Sequence, residues 1–296
     1  MKALATGGDG QLARAWAAAA PAGWTVTSLS RQRLDIGDEA AVSAAVARLG
    51  PDVILNAAAF TAVDRAEREP EEAWRVNRDG ATHLARAGAE FGARVTHIST
   101  DFVFDGRSGR AYRPDDRPSP LGVYGASKLA GETAVLAAAP GALIVRTAWL
   151  YSRHGANFLT AMLRLMGQGA EVRVVADQIG SPTAAASLAD TVWKLIEADA
   201  SGVFHVTDAG VASRYDFALA IAEEALSAGL LSQAPRVVPI TTGERPTSAA
   251  RPAFSVLDST QTWKELGHAA PHWRQSLRRV LAAMSALEGA ARRRGP

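Results

Sequence analysis

Tyr124 and Lys128 stand four residues apart in the string YGASK, a spacing that puts a phenol and an ammonium on one face of a helix. A cation near a phenol favours the phenolate, so the pair suits proton transfer at a carbonyl oxygen. The chain has only four Tyr and four Lys, and a chance pair at this spacing is expected roughly 0.05 times. Upstream, the apolar run RVTHIST (94–100) ends on Thr100, a hydroxyl at the carboxyl end of a strand, where doubly wound sheets bind ligands. Carbonyl reduction, or its reverse, is the chemistry these three side chains share.

The amino-terminal run KALAT (2–6) leads into GGDGQLA, which places Gly7 and Gly10 in a strand-to-helix turn and Ala13 where a third glycine often sits. Glycines there let the backbone approach a pyrophosphate, and the helix that follows offers unpaired N–H groups. In a chain with 26 glycines such a string is weak by itself; its place between the first strand and the first helix gives it weight. At the end of the second strand, Ser30 stands where an acid would bind an adenosine ribose, and Arg31 follows. Arg31 suits either the 2′-phosphate of NADPH or a plain exposed basic loop. Asp35 and Ile36 lie where a carboxylate and an apolar side chain would meet adenine. NADPH is the expected cofactor, with NADH also accepted.

The elements that must position these groups follow from apolar periodicity. Runs at 2–6, 24–29, 52–59, 94–100 and 142–148 alternate with helix-length stretches at 11–20, 38–49, 70–91 and 124–138. This order predicts an α/β fold, a Rossmann-type doubly wound parallel sheet with right-handed crossovers, over residues 1–149. From residue 150 the pattern changes, with helices at 156–168, 184–198, 214–228 and 273–288 and strands at 172–176, 203–207 and 236–240. Proline and glycine are dense around GERPTSAARP (243–252), which predicts a smaller α+β lobe completing a cleft. Part of 184–207 is expected to pack back on the first domain. The terminal arginines read as a solvated end.

Taken in order, GGDGQLA, RLDI, NAAAFTAVDRAE, HISTDFVFDG, PLGVYGASKLAGE, VRTAWLY, NFLTAMLRL, DQIGSPT and ARPAFSVLD resemble the dTDP-4-dehydrorhamnose reductase family, in the extended short-chain dehydrogenase/reductase superfamily, over nearly the whole chain. The resemblance implies hydride transfer from NAD(P)H to the 4-keto carbon of a dTDP-4-keto-6-deoxy-L-hexose. Tyr124 would protonate the nascent alkoxide, Lys128 would hold the nicotinamide ribose and lower the phenol pKa, and Thr100 would bind the carbonyl oxygen. Gln11, Leu12, Ala57, Ala59, Phe60, Thr61 and Ser99 would complete the cofactor site. Asp101, Phe102 and Trp149 would meet the sugar. Asn157, Gln178, Thr183 and Arg251 fall in strings that match the nucleotide-sugar pocket, Arg251 facing the diphosphate. Three positions depart from the commoner pattern. Phe102 replaces a frequent tyrosine, Gly122 a bulkier polar residue, and Ala15 a helix glutamate that bridges some dimers through Mg2+. A monomer or a metal-independent homodimer is therefore expected.

Composition narrows the field. Thirty-two basic residues face 30 acidic ones for a net charge of +2, which gives no reason to expect a nucleic-acid partner. Zero cysteines exclude thiol catalysis and disulfides. The start MKALATGG lacks a secretory pattern and no apolar span is long enough for a membrane, so a cytoplasmic protein is expected. The six histidines show no paired metal spacing, and no metal is expected. Two other readings use the same residues. One is another deoxysugar 4-ketoreductase or a nucleotide-sugar epimerase. The other is a non-catalytic regulatory subunit of the kind attached to methionine adenosyltransferase.

Overall fold

The computed structural model describes residues 1–169 and 171–293. Its first half alternates β1 (Lys2–Thr6), α1 (Gln11–Ala18), β2 (Thr25–Leu29), α2 (Glu39–Leu49) and β3 (Val53–Asn56). Two short helices, α3 (Val63–Ala66) and α4 (Pro70–Trp74), precede α5 (Ala81–Phe91), β4 (Arg94–Thr100), α6 (Val123–Ala138) and β5 (Leu143–Thr147). The second half contains β6 (Leu150–Tyr151), α7 (Phe158–Gly167), β7 (Val172–Val175), β8 (Ile179–Gly180), β9 (Thr183–Ala184), α8 (Ala185–Glu197) and β10 (Gly202–His205). It closes with β11 (Ala212–Ser213), α9 (Arg214–Ser227), β12 (Val237–Ile240), α10 (Thr260–Leu266) and α11 (Trp273–Arg293). Among the described residues, no helix is long and apolar enough to cross a membrane.

Six parallel strands form the main sheet in the order β10-β5-β4-β3-β1-β2. Every residue of β3 and of β5 is buried, because a parallel strand is covered by helices on both faces. Alternate side chains feed two cores. Leu4, Ile54 and Ile144 join Val42, Val46, Leu84 and Val135 on one face. Ala3, Ala5, Val53, Leu55, Leu143 and Val145 join Leu12, Trp16, Leu188, Val192 and Trp193 on the other. A third core brings together Leu159, Met162, Phe217, Ile221, Leu277 and Leu281 from α7, α9 and α11. The order switches between β1 and β3, so a crevice opens at the carboxyl ends of these strands, the usual ligand position in such sheets.

Two expectations are revised. The helix expected over 70–91 is broken into α4, a π turn at Arg75–Gly80 and α5. The wide turn lies against α6 at Gly131, where a Cβ would come within 2.2 Å of the Asn77 carbonyl oxygen. The run at 203–207 forms β10 at the edge of the main sheet, paired with β5. The last helix runs through Arg293, past its expected end; the side chains of the terminal arginines lie outside the described residues.

Candidate active site

Helix α6 carries Tyr124 and Lys128, and three contacts set its position. Gly122 provides no capping side chain, and the carboxylate of Glu67, at the end of α3, accepts from Val123 N at 2.8 Å instead. A Cβ on residue 122 would lie 2.4 Å from that carboxylate, so the cap borrowed from α3 and the glycine go together. Ser127 donates to the Tyr124 carbonyl at 2.9 Å and accepts from Asn77 at 3.0 Å. At Gly125 the helix approaches the Phe102 carbonyl so closely that a Cβ would sit 2.2 Å from it. The buried face of α6 is unusually polar, with Ser127, Lys128 and Glu132 all inside.

Tyr124 lies beside Thr100, the last residue of β4, and its ring meets Phe102 edge-on at 5.7 Å. Burial pushes the phenol up to about 12, against the Thr100 hydroxyl, which favours the phenolate, and with the Asp101 carboxylate, which disfavours it. The expected lowering by Lys128 is absent, because that ammonium is turned elsewhere. Lys128 Nζ donates to the Ile98 carbonyl at 2.6 Å and lies 3.3 Å from His97 Nε2. Asn56 Oδ1 accepts from Thr6 Oγ1 at 2.7 Å and Ala58 N at 3.1 Å, so the Asn56 amide donates to His97 Nδ1 at 2.9 Å. Burial and the charge of Lys128 draw the His97 pKa well down, so the imidazole stays neutral. Burial also draws Lys128 down to about 8, in spite of the nearby Glu132 carboxylate.

Asp101 is 2% exposed; its Oδ1 accepts from Thr100 Oγ1 at 3.1 Å, while Oδ2 has no partner among the described residues. Burial raises its carboxyl to about 6. The native state therefore binds this proton more tightly than the unfolded chain does. The resulting destabilisation grows as pH rises from about 4 and is complete above about 6. Asp101→Asn is expected to stabilise the apoprotein by on the order of 2 kcal/mol at pH 8, with no gain below about pH 4. Thermal melts across this range check it; a gain that does not vary with pH rejects the titration account.

A cavity of about 710 Å³ runs from the glycine-rich turn to this trio. Gly7 has φ +69°, and a Cβ there would crowd Ala57 O at 3.1 Å and Ala58 N at 3.0 Å. Gly10 N donates to Gly7 O at 2.8 Å to close the turn. The glycines thus form a cradle that a side chain would fill, which fits a pyrophosphate. Gly7, Gly10, Gln11 and Leu12 line one end, with Arg31, Asp35 and Ile36 beyond. Ala57, Ala59, Phe60, Thr61 and Ser99 line the middle, and Thr100, Asp101, Tyr124, Lys128 and Trp149 the far end. Ser30 is not among the walls; its carbonyl accepts from Arg33 N and Leu34 N in the turn that follows β2. Arg31 is paired with Glu72 at 2.8 Å, and Asp35 with Arg75 at 3.0 Å.

The structure does not bring the remaining expected residues to these walls. Phe102 meets Tyr124 edge-on, at a small recess shared with Pro252. Asn157 caps α7 and donates to Gln11 Oε1 at 2.9 Å. Gln178 donates to Thr242 Oγ1 at 3.1 Å, and Thr183, fully buried, donates to Ser181 O at 3.1 Å. Arg251 is held by Asp64 at 2.6 Å. Glu67, Asn77 and Arg214 are side chains to which no local pattern pointed, because their partners come from distant segments.

A Rossmann-type sheet with its crevice leading to a tyrosine, lysine and threonine defines an oxidoreductase of the extended short-chain dehydrogenase/reductase class. The family described as the RmlD substrate binding domain matches residues 1–286. The chain is 40% identical to a dTDP-4-dehydrorhamnose reductase of Sinorhizobium fredii, over 98% of this chain and 99% of that protein. It is 44% identical to one of Mycobacterium tuberculosis, over 94% and 91%. A solved Bacillus anthracis dTDP-4-dehydrorhamnose reductase, in complex with NADP, superposes with a TM-score of 0.89 at 35% identity, covering 94% of this chain and 98% of that one. The chain belongs to the dTDP-4-dehydrorhamnose reductase family, whose members are NAD(P)H-dependent oxidoreductases.

Proposed function

We propose that the protein reduces the 4-keto group of dTDP-4-dehydrorhamnose to give dTDP-L-rhamnose, with NADPH as the preferred reductant and NADH accepted. The observation that carries this reading is the convergence of Thr100, Tyr124, Asp101 and Trp149 at one end of a cavity whose other end is the Gly7–Gly10 cradle. Bound NAD(P)H supplies the hydride to the carbonyl carbon. Thr100 orients the carbonyl oxygen, and Tyr124, which keeps its proton at neutral pH, gives that proton to the oxygen as it gains charge. A phenol held protonated is the form that reduction needs. Lys128 binds the nicotinamide ribose in this scheme, and Gly7, Gly10, Gln11 and Leu12 take the pyrophosphate. Asp35 and Ile36 flank adenine, and Ala57, Ala59, Phe60, Thr61 and Ser99 shape the channel.

Asp101 and Trp149 meet the sugar, while Phe102 backs Tyr124 from outside the cavity and Asn157, Gln178, Thr183 and Arg251 support the nucleotide side indirectly, through the protein hydrogen bonds already described. Preference for NADPH is supported by Arg31, whose side chain is 66% exposed at the rim and free to exchange Glu72 for a 2′-phosphate. Residues 1–149 serve as the cofactor-binding domain, and from 150 onward the chain serves mainly the nucleotide sugar, with part of 184–207 belonging to the first domain. The reading includes a cytoplasmic protein acting as a monomer or a metal-independent dimer.

An assay with the ketosugar nucleotide, following NADPH and NADH consumption separately and identifying the product by NMR, tests this reading. Stoichiometric NADPH oxidation with formation of the rhamnose nucleotide is expected. Interconversion of sugar epimers without added reductant would instead identify an epimerase. A protein that binds both ligands without turnover would have the regulatory role.

A further inference from the structure

Arg214, the first residue of α9, has no part in the scheme above. Its guanidinium carbon lies 3.6 Å from the centroid of the Trp149 ring and 5.3 Å from that of Phe158. The two arginines that line the cavity are committed to carboxylates, Arg31 to Glu72 and Arg65 to Glu69, and so are Arg75, to Asp35 and Glu72, and Arg251, to Asp64. Arg214 has no ion pair and no side-chain hydrogen bond among the described residues, although it is only half-buried and its stacked face is occupied. A guanidinium covered on its face keeps its N–H donors in the ring plane, directed outward at the edge, which is the geometry for two parallel bonds to a phosphate.

Its surroundings point the same way. Asp101 and Arg251 are the charges that act on it, one attracting and one repelling, and burial draws it down to about 10. Two guanidiniums are thus held near each other with a single carboxylate, Asp64, bonded to one of them. A bound anion relieves that repulsion. The fold also bears a cost to hold the stacking platform in place. Trp149 adopts φ +47°, rare for a bulky residue, and its indole occupies the space a Cβ at Gly180 would take, 2.5 Å from the ring. Trp149 and Asp101 both line the reaction end of the cavity.

We propose that Arg214 receives the diphosphate of the substrate, its edge binding the phosphate oxygens while Trp149 fixes its plane and Arg251, clasped by Asp64, frames the far side. This rests on the nucleotide-sugar reading given under Proposed function, and it moves the direct phosphate contact from Arg251 to a residue in α9.

The test compares the wild type with Arg214→Met, which keeps an apolar stem against Trp149, and Arg214→Gln. Thymidine diphosphate, thymidine and NADPH binding are measured by calorimetry, and kcat and KM with the ketosugar nucleotide. In both variants the Kd for thymidine diphosphate and the KM are expected to rise about 10–100-fold, the loss of one charge-assisted bidentate contact. Thymidine and NADPH binding stay as in the wild type, and kcat changes by less than about threefold. Unchanged thymidine diphosphate affinity in the variants overturns the proposal while leaving the reductase reading intact. Equal losses for thymidine and thymidine diphosphate also overturn it, since they show a packing role at Trp149. A wild-type protein that binds neither nucleotide removes the nucleotide-sugar reading itself.

Discussion

Tyr124→Phe is expected to lower kcat for ketosugar reduction by about 10²–10⁴-fold, the range a positioned general acid contributes. NADPH affinity and the KM for the ketosugar should change little, because the phenylalanine ring keeps the edge-on contact that Tyr124 makes with Phe102 at 5.7 Å. The size of the effect follows from the site's chemistry. The phenol lies beside Thr100 at the cavity wall, where desolvation pushes its pKa up to about 12. Among the side chains at that end of the cavity, it is the acid that remains protonated throughout the neutral range and adjoins the Thr100 hydroxyl. Asp101, near 6, is mostly ionised at pH 7.5. Steady-state kinetics with the product quantified by NMR decides the matter. Activity within a few-fold of wild type would remove Tyr124 from the mechanism and leave Thr100 or water as the proton source.

The second large effect concerns stability rather than rate. Glu132, one turn beyond Lys128 on α6, pairs with Arg146 of β5 at 2.7 Å, and their side chains are 3% and 5% exposed. Arg146 also donates to the Pro114 carbonyl at 3.1 Å and lies 5.2 Å from the centroid of the Phe104 ring. Glu132→Leu leaves the guanidinium buried without its counter-charge and is expected to cost about 3–5 kcal/mol in a urea unfolding experiment. Replacing both partners, Glu132→Leu with Arg146→Met, removes the stranded charge and should recover most of that loss. A double variant as unstable as the single one would show that the cost comes from the helix–strand packing and not from the unpaired charge. The pair joins the helix that carries Tyr124 and Lys128 to the strand beside β4, so weakening it also loosens the site.

Much of the site was legible before any tertiary contact was known. Tyr124 and Lys128 fall on one helical face because 3.6 residues per turn is a local property of the backbone, and Thr100 closes a strand for the same local reason. Gly7 announces a turn because its φ of +69° suits a residue without Cβ. The electrostatics were not legible. Lys128 was expected to lower the phenol pKa, yet its ammonium is drawn to the Ile98 carbonyl, and burial with Asp101 drives the phenol the other way. Sequence spacing brings two side chains to one face without saying which neighbour each will bond.

Local pattern by itself determined the alternation of buried strands and amphipathic helices, the glycine-rich turn, and the tyrosine–lysine pair. It did so because these depend on dihedral preferences and periodicities that a short segment carries with it. Tertiary structure alone decided that β10 pairs with β5 at the edge of the main sheet, since an apolar run of four residues does not specify which strand it will pair with. It also decided that residues 75–80 widen into a π turn under α6, and that Glu67 caps that helix from across the fold. The same holds for the arginines. Arg251 reaches Asp64, 187 residues away in the chain, while Arg214 stacks on Trp149 with its donors unclaimed. Which guanidinium is left available for an anion depends on how the whole chain packs, because each ion pair is chosen by total burial and geometry and not by the residues beside it in sequence.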